Sequence, residues 1–155
     1  MSIDQLYPVS FLPLTQYDVE ECMQGWEETF DWSAYFDQPG IATYKMVVTG
    51  INEIQGAIAI EDRRDHIYVH LVESAPHNRG VDRVFYGIGP RLFAFACAVS
   101  HKCGYDGFVS FDAKAQLIDY YSDALGAQRI GHTRMIIDPV AAYRLVRLYL
   151  TYLER

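Results

Sequence analysis

The chain has 155 residues, half of them apolar and 14% aromatic, and a formal charge of -7. Such a composition excludes a disordered, collagen-like or coiled-coil polypeptide, and the length predicts one domain over residues 1–155 that buries a core without staples. The longest apolar run, Leu92 to Val99, falls far short of the roughly 20 residues of a membrane span. The N-terminus has neither the basic start nor the apolar stretch of a signal peptide, and Cys22, Cys97 and Cys103 cannot all pair within one chain. No membrane association and a cytoplasmic location are therefore expected.

In chain order, Val9 to Leu12 predicts a short strand ending at Pro13, and Thr15 followed by Asp18 predicts an N-cap and a helix over 16–25. Trp26, Phe30, Trp32, Tyr35 and Phe36 then stand among acids in a stretch expected to be helical, which stops at the turn pair Pro39-Gly40. Ala42 to Val48 and Ile54 to Ile60 read as a hairpin, and His66 to Ser74 as a third antiparallel strand. After the loop SAPHNRG comes Gly87-Ile88-Gly89, then a buried helix from Pro90 to Cys103 with Pro at its first position and Gly104 past its end. A strand over 107–113, a helix over 115–125 closed by Gly126, one strand or two short ones over 128–138, and a final helix over 139–153 complete the chain. That last helix carries two apolar stripes, one of Leu145, Leu148, Tyr149 and Tyr152, the other of Val146, Leu150 and Leu153. It should pack on the domain or form a homodimer with a second copy.

A strand, a glycine-rich loop and a helix start are the arrangement that binds phosphates, because first-turn amides lack intrahelical partners and the helix dipole favours an anion there. A glycine pair before a helix serves equally often as a simple cap. A dinucleotide-binding reading stays as a lesser alternative, with two facts against it: the third glycine of GxGxxG is Leu92 here, and too little chain follows for a doubly wound sheet. No metal is expected, since Cys97, His101 and Cys103 match no zinc spacing and His66 and His70 would stand about 13 Å apart along a strand. The only candidate basic stripe is Arg144, Arg147 and Arg155, so nucleic acid is not expected among the partners.

Residues Pro76-His77-Asn78-Arg79-Gly80, Gly87-Ile88-Gly89 and Tyr121 to Ala127 together resemble the motifs of the GNAT superfamily of N-acetyltransferases, and the element order over residues 9–137 is similar too. Relative to that pattern, five extra residues separate Arg79-Gly80 from Gly87, and the tyrosine stands one residue further from Leu125-Gly126, which brings Tyr120 into competition with Tyr121. The resemblance implies a mixed, mostly antiparallel α/β sheet with helices on both faces. It also implies transfer of an acetyl group from acetyl-CoA, as cosubstrate, to the primary amine of a small molecule or peptide. Ser74, Arg79, Gly80, Arg83, Gly87, Ile88, Gly89 and Arg91 would surround the cosubstrate. Tyr121 would protonate the leaving thiolate, and Glu73, or failing it His70, would take the amine proton; for Glu73 a plain role in capping a loop amide stands beside this one. A domain that binds CoA without turnover, or scaffolds a protein partner, is the alternative. Residues 1–65 hold 12 acids against three bases, and 66–155 hold eight against ten. An acceptor of cationic character is therefore expected near Trp26, Phe30 and Trp32, and the polyanionic cosubstrate on the other half.

Overall fold

The computed structural model describes residues 7–150. Strands β1 (Val9–Pro13), β2 (Ile41–Val48), β3 (Ile54–Asp62) and β4 (Ile67–Ser74) pair antiparallel in chain order. With β5 (Val109–Asp112), β6 (Gln128–Arg129) and β7 (Arg134–Ile137) they form one seven-stranded sheet of order β1-β2-β3-β4-β5-β7-β6. Its parallel pair is β4 with β5. Four helices accompany the sheet: α1 (Gln16–Glu21), α2 (Ile88–Lys102), α3 (Ile118–Leu125) and α4 (Pro139–Leu150). This is the α/β architecture that the resemblance implies.

β3 runs through the middle of the core, buried at every position from Ile54 to Ile60. Its alternation divides the interior in two. Ile58 and Ile60 join the larger cluster, which holds Leu92, Phe93 and Ala96 of α2 and Ala142, Leu145 and Leu150 of α4. Ala57 and Ala59 face a smaller cluster around Leu14, Trp26 and Trp32. Gly56 lets α2 begin close against the sheet, since a Cβ there would stand 2.8 Å from Ile88 Cγ2 and 3.3 Å from the Glu73 carbonyl oxygen.

Several boundaries differ from expectation, each for a local reason. Thr15 and Asp18 do form a capping box, but α1 ends at Glu21. Residues 26–36 do not form an α-helix; a 3-10 helix over Trp32–Asp37 is all that stands there, because its preceding backbone is drawn away to bond β4. α2 starts two residues before Pro90, with Gly87 as its cap at φ +74°, a left-handed value that glycine adopts without strain. Proline is tolerated at the third helical position because that amide has no intrahelical acceptor. The 128–138 stretch resolves into the two short strands β6 and β7. α4 packs on the domain itself through Ala142, Leu145 and Leu150, while Leu148 stays exposed; Tyr152, Leu153 and Arg155 lie outside the described residues.

The feature that creates a site is in β4. Val69 pairs with Ile60 and Leu71 with Ala59, so His70 is an extra residue, a β-bulge. The bulge reverses the inside-outside order: Ile67 and Val69 join the larger core, but beyond His70 it is Val72 that does so, and Leu71 packs on the tryptophan cluster. Pairing with β5 runs only from Ile67↔Val109 to Val69↔Phe111, after which the two strands part.

A polar clasp holds the point where they part. Tyr68 donates its hydroxyl to Asp112 Oδ2 at 2.7 Å, and Arg134 on β7 donates to both Asp112 oxygens at 3.0 and 3.1 Å. Arg134, then Tyr68, lower the Asp112 carboxyl to about 2, and burial with the Asp112 bond pushes the Tyr68 phenol up to about 12. A carboxyl lowered from its ordinary value near 4 contributes stability that is full above about pH 4 and lost as pH falls through about 2. Asp112→Asn is therefore expected to flatten the fall in urea midpoint across that window. The effect should stay under about 1 kcal/mol, because the pair is about 40% exposed and solvent screens it; an unchanged acid limb would refute the assignment.

Candidate functional site

Where β4 and β5 part, a cleft of about 290 Å³ opens. One wall is the end of β4 with Val72, Glu73 and Ser74, and the other is α3 with Tyr120, Tyr121 and Leu125. The floor is the first turns of α2, with Ile88, Gly89, Pro90, Leu92 and Phe93, and Arg83 and Asn78 reach in from the loop before it. Three kinds of chemistry meet here: an apolar slot, an unpaired strand edge and a helix start.

The helix start is built to receive an anion. The Arg91 amide already bonds the Gly87 carbonyl at 3.2 Å, and Pro90 has no N–H. Among the first-turn amides, Ile88 and Gly89 therefore remain for a ligand at the positive end of a 15-residue helix. A Cβ on Gly89 would meet nothing within 4 Å, so the backbone there stands open to close approach. These features fit a pyrophosphate group.

Of the eight residues expected around the cosubstrate, Ser74, Arg83, Gly87, Ile88 and Gly89 line this cleft. Arg79, Gly80 and Arg91 do not. Arg79 turns back onto the end of β4, donating from Nε and Nη2 to the Ser74 carbonyl at 2.9 and 2.7 Å and from Nη2 to Glu73 at 2.8 Å. Gly80 lends its carbonyl to Arg83 Nε at 2.8 Å, with a φ of +78°. Arg91 is 2% exposed, with its guanidinium under the loop, donating to the carbonyls of Tyr86 and Gly87 and lying 3.9 Å over the Tyr7 ring. One helical turn inside α2, its side chain faces the core, as the spacing from Ile88 and Leu92 would have shown.

Both tyrosines of the α3 wall reach the cleft. Tyr121 is wedged between Phe111 and Phe93, ring centroids 5.0 and 5.7 Å away, and burial raises its phenol above the ordinary value, with Tyr120 adding to the effect. Tyr120 is half exposed; burial and then Tyr149 raise its phenol, and Arg83 works the other way. Glu73 lines the cleft with both oxygens engaged: Oε1 accepts the Trp32 indole at 2.8 Å, and Oε2 accepts the Glu27 amide at 2.7 Å and Arg79. His70 lies outside it, bonded to Glu61 at 2.8 Å with its ring against Tyr68. Trp26 and Trp32 are core residues, 9% and 3% exposed, so the expected capture of a cationic acceptor on their faces is corrected.

Sequence reasoning passed over Asn78. Its Nδ2 donates to the Gln55 backbone and side-chain oxygens at 3.2 and 2.8 Å, and its Oδ1 accepts the Phe85 amide at 3.0 Å. It thereby ties the enlarged loop to β3. An asparagine in a polar loop carries no pattern that would have marked it.

No family model and no curated protein matches the chain. Solved structures do match. The AtaTR structure with bound acetyl-CoA superimposes with a TM-score of 0.63 at 14% identity, over 89% of this chain and 98% of that one. A spermidine N-acetyltransferase SpeG chimera from Vibrio cholerae and hSSAT gives 0.64 at 12%, over 88% and 98%. The KacTA–DNA complex gives 0.62 at 12%, over 90% and 98%. The chain has the fold of the GNAT acetyltransferases.

The same comparison overturns one expectation. Nucleic acid was set aside as a partner, yet these neighbours include a complex with DNA and the AtaTR assembly, which point to protein and nucleic-acid partners. The expectation had rested on finding a single short basic stripe, Arg144, Arg147 and Arg155, and a stripe of that size was discounted. α4 turns Tyr143, Arg144 and Arg147 outward, with the Arg147 guanidinium 5.6 Å over the Tyr143 ring. Among the described residues no helix is long and apolar enough to cross a membrane, and no group of three metal-ligating side chains occurs.

Proposed function

We propose that the chain is an N-acetyltransferase that moves an acetyl group from acetyl-CoA to a primary amine, working as one domain in a reducing cytoplasm. The observation that carries this reading is the meeting, in one cleft, of the open amides of Ile88 and Gly89 with the unpaired edge of β4. Its fold-mates add support, since acetyl-CoA occupies one of them. The pyrophosphate rests on the helix start, Arg83 supplies a cation at the rim, and the apolar slot over Leu92 and Phe93 takes the pantetheine arm.

The thioester then lies along the free edge of β4, where a backbone amide beyond Val69 faces the carbonyl oxygen as it gains charge. The amine nitrogen forms the new C–N bond, the C–S bond breaks, and the thiolate takes its proton from the Tyr121 hydroxyl. The proton shed by the amine passes to water, and Tyr121 is reprotonated from solvent. A phenol raised by burial holds its proton at neutral pH until the thiolate appears.

Isothermal calorimetry of Gly89→Glu checks the binding half. The variant should fold and lose measurable CoA affinity, since a carboxylate would occupy the anion position; unchanged affinity refutes the site.

Thiol release against a panel of amines checks the chemistry. Tyr121→Phe should lower kcat by roughly tenfold to a thousandfold with KM for acetyl-CoA unchanged, because only a transition-state contact is lost. Tyr120→Phe is the control, and a loss confined to it would move the acid by one residue. CoA binding with no release from any amine would instead support a domain that binds without turnover.

A second reading concerns assembly. The KacTA–DNA neighbour and the outward Tyr143, Arg144 and Arg147 together favour a chain that also contacts nucleic acid. Duplex DNA should retard the protein in a gel at low salt, and Arg144→Glu with Arg147→Glu should abolish the shift. No retardation of the unaltered protein would refute direct contact.

A further inference from the structure

Glu73 joins three separate parts of the chain through one buried carboxylate. It is 5% exposed, and the indole N–H of Trp32, the amide of Glu27 and the guanidinium of Arg79 all point at it from 2.7 to 2.8 Å. The first two belong to the acidic, aromatic segment between α1 and β2, and the third opens the loop that leads to the α2 helix start. Arg79 also holds the Ser74 carbonyl through two nitrogens. The turn between them is seated as well: the Ala75 amide bonds Gln55 at 3.0 Å, and a Cβ on Gly25 would stand 3.8 Å from Pro76.

A general base must present a free lone pair to the amine or to an intervening water. Oε2 of Glu73 already carries two N–H donors and Oε1 carries the indole. Moving this carboxylate toward a substrate would leave a buried indole N–H and a loop amide unmatched and break the ion pair with the half-exposed Arg79, and the loss of the buried donor alone is costly. The arrangement is that of a fastening, in which the strength of three charge-assisted bonds fixes two loops against the end of β4.

We propose that Glu73 is a positioning residue rather than the proton acceptor. It locks the segment holding Glu27 and Trp32 to the phosphate-binding loop through Arg79, so that this segment and the cosubstrate site share one conformational equilibrium. The proposal rests on the acetyl-CoA reading of the cleft. It gives Arg79 and Trp32, neither of which lines the cleft, a measurable influence on CoA affinity.

The test is a double-mutant cycle on CoA affinity by calorimetry, with Trp32→Phe and Arg79→Gln. Each single variant should weaken CoA binding by about tenfold, and the double should be little worse than either, because both break the same fastening. Arg79→Lys, which can still reach one carboxylate oxygen, should restore part of the loss. Unchanged affinity in the folded single variants, or losses that simply multiply, would overturn the proposal. With an acceptor in hand, Glu73→Gln should lower turnover by a constant factor at every pH; a defect that vanishes as pH approaches the acceptor's own pKa would make Glu73 the base and overturn it. Wild-type protein that fails to bind CoA at all would defeat the acetyl-CoA reading, and with it the linkage to affinity. The fastening itself is then judged by nuclear magnetic resonance: the Trp32 indole N–H signal should shift in Glu73→Gln while that of Trp26 stays, and an unmoved Trp32 signal overturns it.

Discussion

The parting of β4 from β5 is the constraint from which the rest follows. A parallel pair that ran the full length of both strands would leave no edge free, and α2 would lie over a closed sheet. Three paired positions, Ile67 to Val69, join the halves of the sheet, and the bulge at His70 then bends β4 away. The Tyr68–Asp112–Arg134 clasp sits directly at this fork, on the face opposite α2, and braces it from outside. The cleft is thus a product of strand geometry, with α2 and α3 supplying its lining.

The loop from Arg79 to Gly87 shows how extra chain is tolerated next to such a site. Its base is seated by hydrogen bonds: the Val84 amide donates to the His77 carbonyl, the Phe85 amide to Asn78, and the Tyr86 carbonyl accepts from the Tyr7 hydroxyl and from the Arg91 guanidinium. Exposure is greatest in the outer part, with Val81 at 90%. Length added between two fixed ends costs little free energy, and the ends that present Ile88 and Gly89 keep their place. Anchoring from beneath explains why two of the arginines expected around the cosubstrate, Arg79 and Arg91, are spent on protein oxygens and leave Arg83 to line the cleft.

Strands β2 to β4 were legible as short β-rich runs set between turn residues, and helix α2 by its apolar surround. The turn into α2 was legible as well, because Gly87 has to adopt a left-handed φ and glycine marks that requirement in the letters. What stayed hidden depends on partners far away in the chain. Residues 26–36 carry a helical pattern of aromatics, yet the Glu27 amide and Trp32 indole are spent on Glu73, 46 and 41 residues on. Arg91 looks like a phosphate ligand in sequence and becomes a core cation only once Tyr7 and the Tyr86 carbonyl are brought to it. The bulge at His70 has no signature in IYVHLVES, where isoleucine, valine and leucine occur on both sides of the histidine.

That one surplus residue makes β4 a reading frame as much as a strand. Everything beyond His70 is set half a pleat out of phase with what precedes it, which is how Val72 comes to line the cleft while Glu73 reaches the tryptophan side. Deleting His70 would restore regular alternation with Val72 and Glu73 still on their present faces, and what would go is the extra length that turns β4 away from β5.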